Sequence, residues 1–177
     1  MFPVISIVGW HDVGKTTLAE RLIAALTQRG YRVAAIKHSQ GHFQLDQPGT
    51  DTARFAAAGA AMVGISSDIN AALFSYGQGW GGLDDQLARL PSDLDLVIAE
   101  GFKRESAPKV EVTRAGYKAD PIAAPEQLLA LIGDTPERSD APGVPRLAAE
   151  DTEGLIAILH ARGLLTPRAA VSPTSLG

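Results

Sequence analysis

The sequence contains no cysteine among its 177 residues. Disulfides, thiolate zinc sites and iron–sulfur ligation by this chain are therefore excluded. It also lacks a run of about 20 apolar residues, and its N-terminus has no basic segment before a long apolar stretch, so we expect neither a membrane span nor a signal peptide. The formal net charge is only −4, with no basic block, which argues against nucleic-acid or membrane-surface binding. These absences together predict a cytoplasmic protein.

The apolar content is sufficient for one ordinary domain. Hydrophobic residues make up 45% of the chain and charged residues 20%, a composition typical of a folded globular protein. We predict a single domain over residues 1–165. Residues 166–177 are rich in Ser, Pro, Thr and Ala, and we expect them to form a disordered tail.

Strand-like and helix-like segments alternate along the chain. Residues 4–8 and 31–36 are short apolar runs that predict strands, and residues 15–28 between them carry the apolar stripe of a helix. This succession is a βαβ unit, whose strands are parallel. The other predicted elements are helices over 50–58, 83–90 and 150–162, a hairpin of strands 61–66 and 71–76, and strands over 94–99, 109–113 and 128–132. The predicted fold class is α/β, a mixed and mainly parallel sheet flanked by helices.

A phosphate-binding loop is the clearest functional motif. Residues 9–16 read Gly-Trp-His-Asp-Val-Gly-Lys-Thr and match the pattern G-x-x-x-x-G-K-[ST] between a predicted strand and a predicted helix. Glycines let successive backbone N–H groups converge on one anion, and the helix N-terminus adds its dipole. The Lys15 ammonium suits the β- and γ-phosphates, and the Thr16 hydroxyl suits Mg²⁺. The candidate nucleotide-binding residues here are Gly9, His11, Asp12, Val13, Gly14, Lys15, Thr16 and Thr17.

A phosphate loop also needs a carboxylate on a neighbouring strand to hold Mg²⁺. Glu100 stands at the C-terminal end of the most apolar predicted strand, where ligands bind in open α/β sheets, whereas Asp95 stands at the other end. Glu100 is therefore the predicted metal-binding acid, and a surface carboxylate is the alternative. Asp46, in the polar loop after the second strand, is a further candidate for Mg²⁺ or for the attacking water. With Lys15, these two acids are the candidate catalytic residues.

Other polar residues leave alternatives open. Asp51 could approach Mg²⁺, and Arg54 could contact phosphate or pair with Asp51. His38 and His42 could bind a transition metal or be ordinary loop histidines. Asp134, after the last predicted strand, could accept the N1–H and N2–H₂ groups of guanine or could simply form a turn. The residues favour a nucleotide and leave its base undecided.

Three segments resemble the molybdopterin-guanine dinucleotide biosynthesis adapter family, called MobB. The first is residues 9–17. The second, within residues 36–60, includes Lys37-His38, Phe43, Asp46, Pro48-Gly49, Asp51-Thr52 and Arg54. The third, within residues 95–114, includes Glu100-Gly101-Phe102-Lys103 and Pro108-Lys109-Val110-Glu111-Val112. The order and spacing of these segments match the family across almost the whole chain.

The resemblance implies a P-loop NTPase fold of the SIMIBI type and a GTP-binding protein that is at most a slow Mg²⁺-dependent GTPase. It also implies a homodimer, the guanylyltransferase that attaches GMP to molybdopterin as a partner, and molybdopterin as a further candidate ligand. In this sequence Gly14, Lys15, Thr16 and Thr17 would bind phosphate and Mg²⁺. Glu100 would be the second acid, Asp46 a metal or water ligand and Asp134 the reader of the base. The chain departs from the family at Gln40 and Gly41, which separate His42 from Lys37-His38 and weaken a histidine metal site.

Two other functions use the same loop. An ATP-dependent small-molecule kinase or ligase would place an acceptor near Asp46, and a metallochaperone GTPase would bind metal at His38 and His42. The absence of cysteine counts against the metallochaperone. No arginine finger or water-positioning glutamine is evident, so slow hydrolysis is expected unless Arg54 or Arg114 acts from a dimer partner. The glycine-rich turn at residues 77–82 has no assigned role.

Overall fold

The helices and strands are those of a computed structural model that describes residues 2–39, 47–76, 82–118, 120–134 and 138–168. The predicted elements are present with bounds shifted by a few residues, and the structure adds the short strand β8 and a 3₁₀ turn at Pro125–Gln127. In chain order the elements are β1 (Val4–Gly9), α1 (Lys15–Gln28), β2 (Val33–Lys37), α2 (Asp51–Ala57), β3 (Met62–Ser66), β4 (Ala71–Ser75), α3 (Leu83–Leu87), β5 (Leu96–Glu100), β6 (Lys109–Thr113), β7 (Leu128–Gly133), β8 (Arg146–Leu147) and α4 (Thr152–Ala161).

The chain forms two compact units. The first comprises residues 1–38 and 91–177, and the second comprises residues 39–90. The first unit contains the main sheet with α1 and α4, and the second contains α2, α3 and the hairpin of β3 and β4. The single domain over residues 1–165 stays a prediction.

The main sheet has the strand order β2-β5-β1-β6-β7-β8, and every neighbouring pair in it is parallel. The predicted mainly parallel sheet is thus confirmed, and the antiparallel β3–β4 pair forms a separate two-stranded sheet. Because the main strands run in one direction, their C-terminal ends share one edge, the edge at which open α/β sheets bind ligands. The residues that end β1, β2, β5 and β7 at this edge are Gly9, Lys37, Glu100 and Gly133.

The core of the first unit lies between the sheet and its two helices. Leu18, Leu22 and Leu26 form the buried stripe of α1, and Leu155 and Leu159 of α4 belong to the same apolar cluster. Burying each such leucine contributes roughly 1.5–3 kcal/mol, so this cluster holds α1 firmly behind the phosphate loop. In the part of the chain that the structure describes, no helix is both long enough and apolar enough to cross a membrane.

The start of the predicted tail makes defined contacts. The Tyr31 hydroxyl donates to the carbonyl oxygen of Thr166 at 2.9 Å and accepts from the backbone N–H of Arg168 at 3.1 Å. The Arg168 guanidinium is also 2.6 Å from the Asp95 carboxylate. Residues 166–168 therefore lie against the first unit, and residues 169–177 lie outside the described part of the chain.

Gly133 is required at the end of β7 by both its backbone and its surroundings. Its φ is +95°, and an added Cβ would lie 2.3 Å from the carbonyl oxygen of Thr113 on β6. We expect Gly133→Ala to lower the free energy of unfolding by about 3 kcal/mol, of which the left-handed conformation accounts for about 1–2 kcal/mol. Urea denaturation measures this loss.

Gly143→Ala is the matched control for Gly133→Ala. Gly143 has a φ of +80° and no atom within 4 Å of an added Cβ, so only the conformational cost of about 1–2 kcal/mol applies. Equal losses in the two variants would contradict the crowding against β6.

Candidate nucleotide-binding site

The phosphate loop connects the end of β1 to the start of α1. Gly14 is the N-cap of α1 with a φ of +104°, and Asp12 also has a positive φ, 58°. Left-handed residues of this kind curl a backbone so that its N–H groups point to one side. The side chain of Val13 is buried, whereas those of His11 and Asp12 are exposed. His11 and Asp12 would therefore contribute through their backbone N–H groups.

Lys15 lies at the centre of this loop. Its ammonium donates to the carbonyl oxygen of Trp10 at 2.6 Å. Burial lowers the pKa of Lys15, the Glu100 carboxylate opposes that shift, and the ammonium groups of Lys103 and Lys37 reinforce it. A cation whose charged form is disfavoured in this way gains most from an arriving anion, because the anion restores the lost solvation.

Two of the three predicted metal ligands, Thr16 and Glu100, lie within the described residues and are in direct contact. The Thr16 hydroxyl donates to Oε2 of Glu100 at 2.9 Å, and the Glu100 side chain is only 13% exposed. The Lys37 ammonium is 3.1 Å from Oε1 of Glu100 and 3.4 Å from Oγ1 of Thr16. Mg²⁺ prefers oxygen ligands, and the oxygens of Thr16 and Glu100 already attract one cation, the Lys37 ammonium. These two residues therefore fit the metal.

Trp10 carries a basic cluster beside the phosphate loop. The Lys103 and Lys118 ammonium groups lie 4.7 and 3.9 Å from the centroid of its indole ring. The indole N–H donates to the carbonyl oxygen of Asp120 at 2.8 Å. Sequence reasoning did not identify this cluster, because Lys103 and Lys118 are far from Trp10 along the chain and the three residues follow no motif. It adds positive charge beside the loop.

A cleft of about 580 Å³ opens next to the loop at the ends of β6 and β7. This volume falls within the range of about 300–1,000 Å³ that is usual for small-molecule sites. Asp134 lines it and accepts from the backbone N–H of Ala115 at 3.3 Å. Its lining includes Val13, Gly14, Thr17, Arg21, Arg114, Asp134 and Glu150. One cavity thus contacts both the phosphate loop and the predicted reader of the base.

Other residues considered for the site have defined contacts of their own. Asp95 is at the opposite end of β5, where it accepts from the backbone N–H of Arg32 at 2.7 Å. In the second unit Arg54 is 3.4 Å from Asp51, which is one of the two arrangements considered for it. The His38 ring lies 5.1 Å from that of Phe102.

Some predictions fall where the structure gives no description. Asp46 and His42 lie outside the described residues, and so do residues 77–81 of the glycine-rich turn. Within the described ranges, no three side chains of His, Cys, Asp or Glu are grouped to hold a metal ion. Metal binding by His38 with His42 therefore stays an untested alternative to ordinary loop histidines.

Comparison with known proteins adds an independent result. A family model described as molybdopterin guanine dinucleotide synthesis protein B matches residues 4–134. The molybdopterin-guanine dinucleotide biosynthesis adapter protein of Escherichia coli K12 is 34% identical over 88% of this chain and 90% of its own. Its namesake in Haemophilus influenzae is 34% identical over 78% of each chain.

Solved structures show the same relationship. The crystal structure of a MobB protein homologue from Bacillus stearothermophilus is 28% identical and has a TM-score of 0.64. The match covers 90% of this chain and 96% of that one. The predicted phosphate-loop fold, with its largely parallel sheet flanked by helices, is confirmed.

Proposed function

Because the chain belongs to the MobB family of molybdopterin guanine dinucleotide synthesis proteins, we propose that it is a GTP-binding adapter in molybdenum cofactor biosynthesis. In this role it assists the guanylyltransferase that attaches GMP to molybdopterin, in the cytoplasm. The observation that carries the proposal is the alignment of the phosphate loop, Glu100 and the cleft at Asp134 along one edge of the sheet. This edge can receive a triphosphate at one end and a base at the other.

The phosphate end would work through three side chains of the loop and one acid. Lys15 would leave the Trp10 carbonyl for the β- and γ-phosphates, and Thr17, which lines the cleft, would approach the α-phosphate. Thr16 and Glu100 would hold Mg²⁺, and Asp46 remains a further candidate ligand. Bound Mg²⁺ neutralises charge on the β- and γ-phosphate oxygens. The remaining charge would be met by the Lys15 ammonium and the N–H groups of the loop.

The base end would be read by Asp134. A carboxylate accepts from both N1–H and N2–H₂ of guanine, and adenine has no such pair of donors. The position of Asp134 in the same cleft as Gly14 and Thr17 supports this role. Arg114 lines the cleft as well, and its guanidinium lies 5.5 Å from the Tyr117 ring. From this position Arg114 would meet a ligand bound beside Asp134.

Asp134→Asn should weaken GTP binding by about 10- to 100-fold. The amide replaces one acceptor oxygen with a donor, and a hydrogen bond to a charged group contributes about 1.5–3 kcal/mol. ATP binding should change by less than about threefold, because adenine offers no donor pair. Calorimetric titration with each nucleotide in Mg²⁺ measures both affinities.

Glu150→Gln is the control for this substitution, because Glu150 is a second carboxylate that lines the same cleft. It should leave the ratio of GTP to ATP affinity unchanged. A larger loss of GTP preference in Glu150→Gln than in Asp134→Asn would mean that Glu150, and not Asp134, recognises the base.

The adapter role also needs protein contacts, and the second unit offers apolar surface for them. Its exposed large apolar residues are Phe55, Met62, Ile65, Ile69, Leu73 and Tyr76. Exposed apolar patches commonly mark protein–protein contacts, which supports the homodimer. Light scattering during gel filtration measures the mass of the chain alone and with the guanylyltransferase. We expect the chain alone to be a dimer and to form a larger complex with the enzyme in the presence of GTP. A monomer that forms no complex with the enzyme would contradict both proposed partnerships.

A further inference from the structure

Lys37 is held beside the proposed metal site by the backbone as well as by its own charge. It ends β2, and its Cα is in register with that of Glu100 on β5. The next N–H, that of His38, donates to the Glu100 carbonyl oxygen at 2.9 Å. The Lys37 ammonium then reaches Oε1 of Glu100 at 3.1 Å and the Thr16 hydroxyl at 3.4 Å. One cation thus contacts both side chains that would hold Mg²⁺.

We propose that Lys37 is a tethered cation that competes with Mg²⁺ for the Glu100 carboxylate, so that the metal binds tightly only together with a phosphate-bearing ligand. The inference rests on the proposed nucleotide site and deepens it. A single carboxylate cannot fully compensate an ammonium and a divalent cation a few ångströms apart, because the two positive charges repel each other. Metal alone must therefore displace Lys37 from Glu100.

A polyphosphate removes this conflict. Its negative charges give the displaced ammonium a new partner, so metal and nucleotide bind cooperatively at the sheet edge. The Lys37 side chain is 62% exposed, which leaves it free to turn from the carboxylate to an anion in front of the loop. Lys37 would then make the site selective for the metal–nucleotide complex over free metal.

The other nearby lysines do not share this position. Lys15 donates to the Trp10 carbonyl, and Lys103 lies 4.7 Å from the Trp10 ring. Among the residues that the structure describes, Lys37 alone forms an ion pair with Glu100. Lys103 nevertheless acts electrostatically on Lys15, as Lys37 does. It is therefore a matched charge that lacks the contact with Glu100.

The test titrates the full chain with Mn²⁺, a paramagnetic substitute for Mg²⁺, without nucleotide, and follows free Mn²⁺ by electron paramagnetic resonance. Lys37→Met should bind Mn²⁺ about tenfold more tightly than the unaltered chain, because a direct, partly buried charge contact is removed. Lys37→Arg keeps the charge and should retain the weak affinity. Lys103→Met should change the affinity by less than about threefold, since its charge is more distant and screened.

A double variant, Lys37→Met with Glu100→Gln, identifies the site that gains affinity. The double variant should lose the tenfold gain in Mn²⁺ affinity. A gain that persisted without the Glu100 carboxylate would come from other carboxylates. Unchanged or weaker Mn²⁺ binding in Lys37→Met, with an unchanged circular dichroism spectrum, would overturn the inference. No nucleotide is present, so a preference for ATP over GTP would refute the proposed function without affecting this result.

Discussion

Lys15→Ala should weaken GTP binding by at least about 100-fold. The ammonium is the central cation of the phosphate loop, and the loss of the charge-assisted contacts proposed for it with two phosphates would cost about 3 kcal/mol or more. Its charged form is already disfavoured by burial, so the unliganded protein loses little when it is removed. Calorimetric titration with GTP and Mg²⁺ measures the affinity, and the melting temperature reports whether the fold is intact.

Lys118→Ala is the matched control for Lys15→Ala. Lys118 also lies near Trp10, at 3.9 Å from its ring, but it is paired with Asp120 at 3.0 Å. Removing it should change GTP affinity by less than about threefold, because its charge is exposed, screened by water and already compensated by Asp120. GTP affinity that survives Lys15→Ala within a few-fold would mean that the triphosphate binds elsewhere.

Arg138→Met should lower the free energy of unfolding by about 3–5 kcal/mol. Its guanidinium lies 2.9 Å from the Glu111 carboxylate, and both side chains are less than a tenth exposed. Glu111 also accepts from the backbone N–H groups of Ile122 and Ala123, at 2.9 and 3.2 Å. Without Arg138 this carboxylate would be a buried charge with only two neutral donors, which is strongly destabilising. Urea denaturation measures the loss.

Two further variants separate the buried pair from its surface neighbour. Asp140→Asn removes the exposed carboxylate 2.6 Å from Arg138 and should destabilise far less, because water screens that contact. Glu111→Gln combined with Arg138→Met removes the orphaned charge and should recover part of the loss. A loss below about 1 kcal/mol in Arg138→Met would show that the buried pair with Glu111 contributes little to the stability of the fold.

The phosphate loop and α1 could be predicted from the sequence because their determinants are local. These determinants are the apolar run at residues 4–8, the glycines Gly9 and Gly14, and the helical spacing of apolar residues after Lys15. Each acts on residues close to it in sequence. Glu100 was predicted by the same reasoning, since a long apolar strand with an acid after it indicates which strand end faces the ligand. The structure brings Glu100 to 2.9 Å from Thr16.

The partners of these residues could not be predicted, because they depend on strand order. Lys37 contacts Glu100 only because β2 and β5 are neighbours in the sheet. Arg138 reaches Glu111 across 27 residues of sequence. One signal was available for that pair, because a glutamate inside the buried strand Lys109–Thr113 requires a buried partner. The two-residue strand β8 is too short for any periodic pattern to indicate it.

The most direct test of the proposed function is a calorimetric titration of the unaltered chain with GTP and with ATP, in Mg²⁺ and in EDTA. We expect GTP to bind at least about tenfold more tightly than ATP, because Asp134, the proposed reader of the base, would accept from the donor pair that only guanine offers. We also expect Mg²⁺ to strengthen GTP binding, through Thr16 and Glu100. ATP binding that equals or exceeds GTP binding would contradict the account and favour an ATP-dependent kinase or ligase on the same phosphate loop.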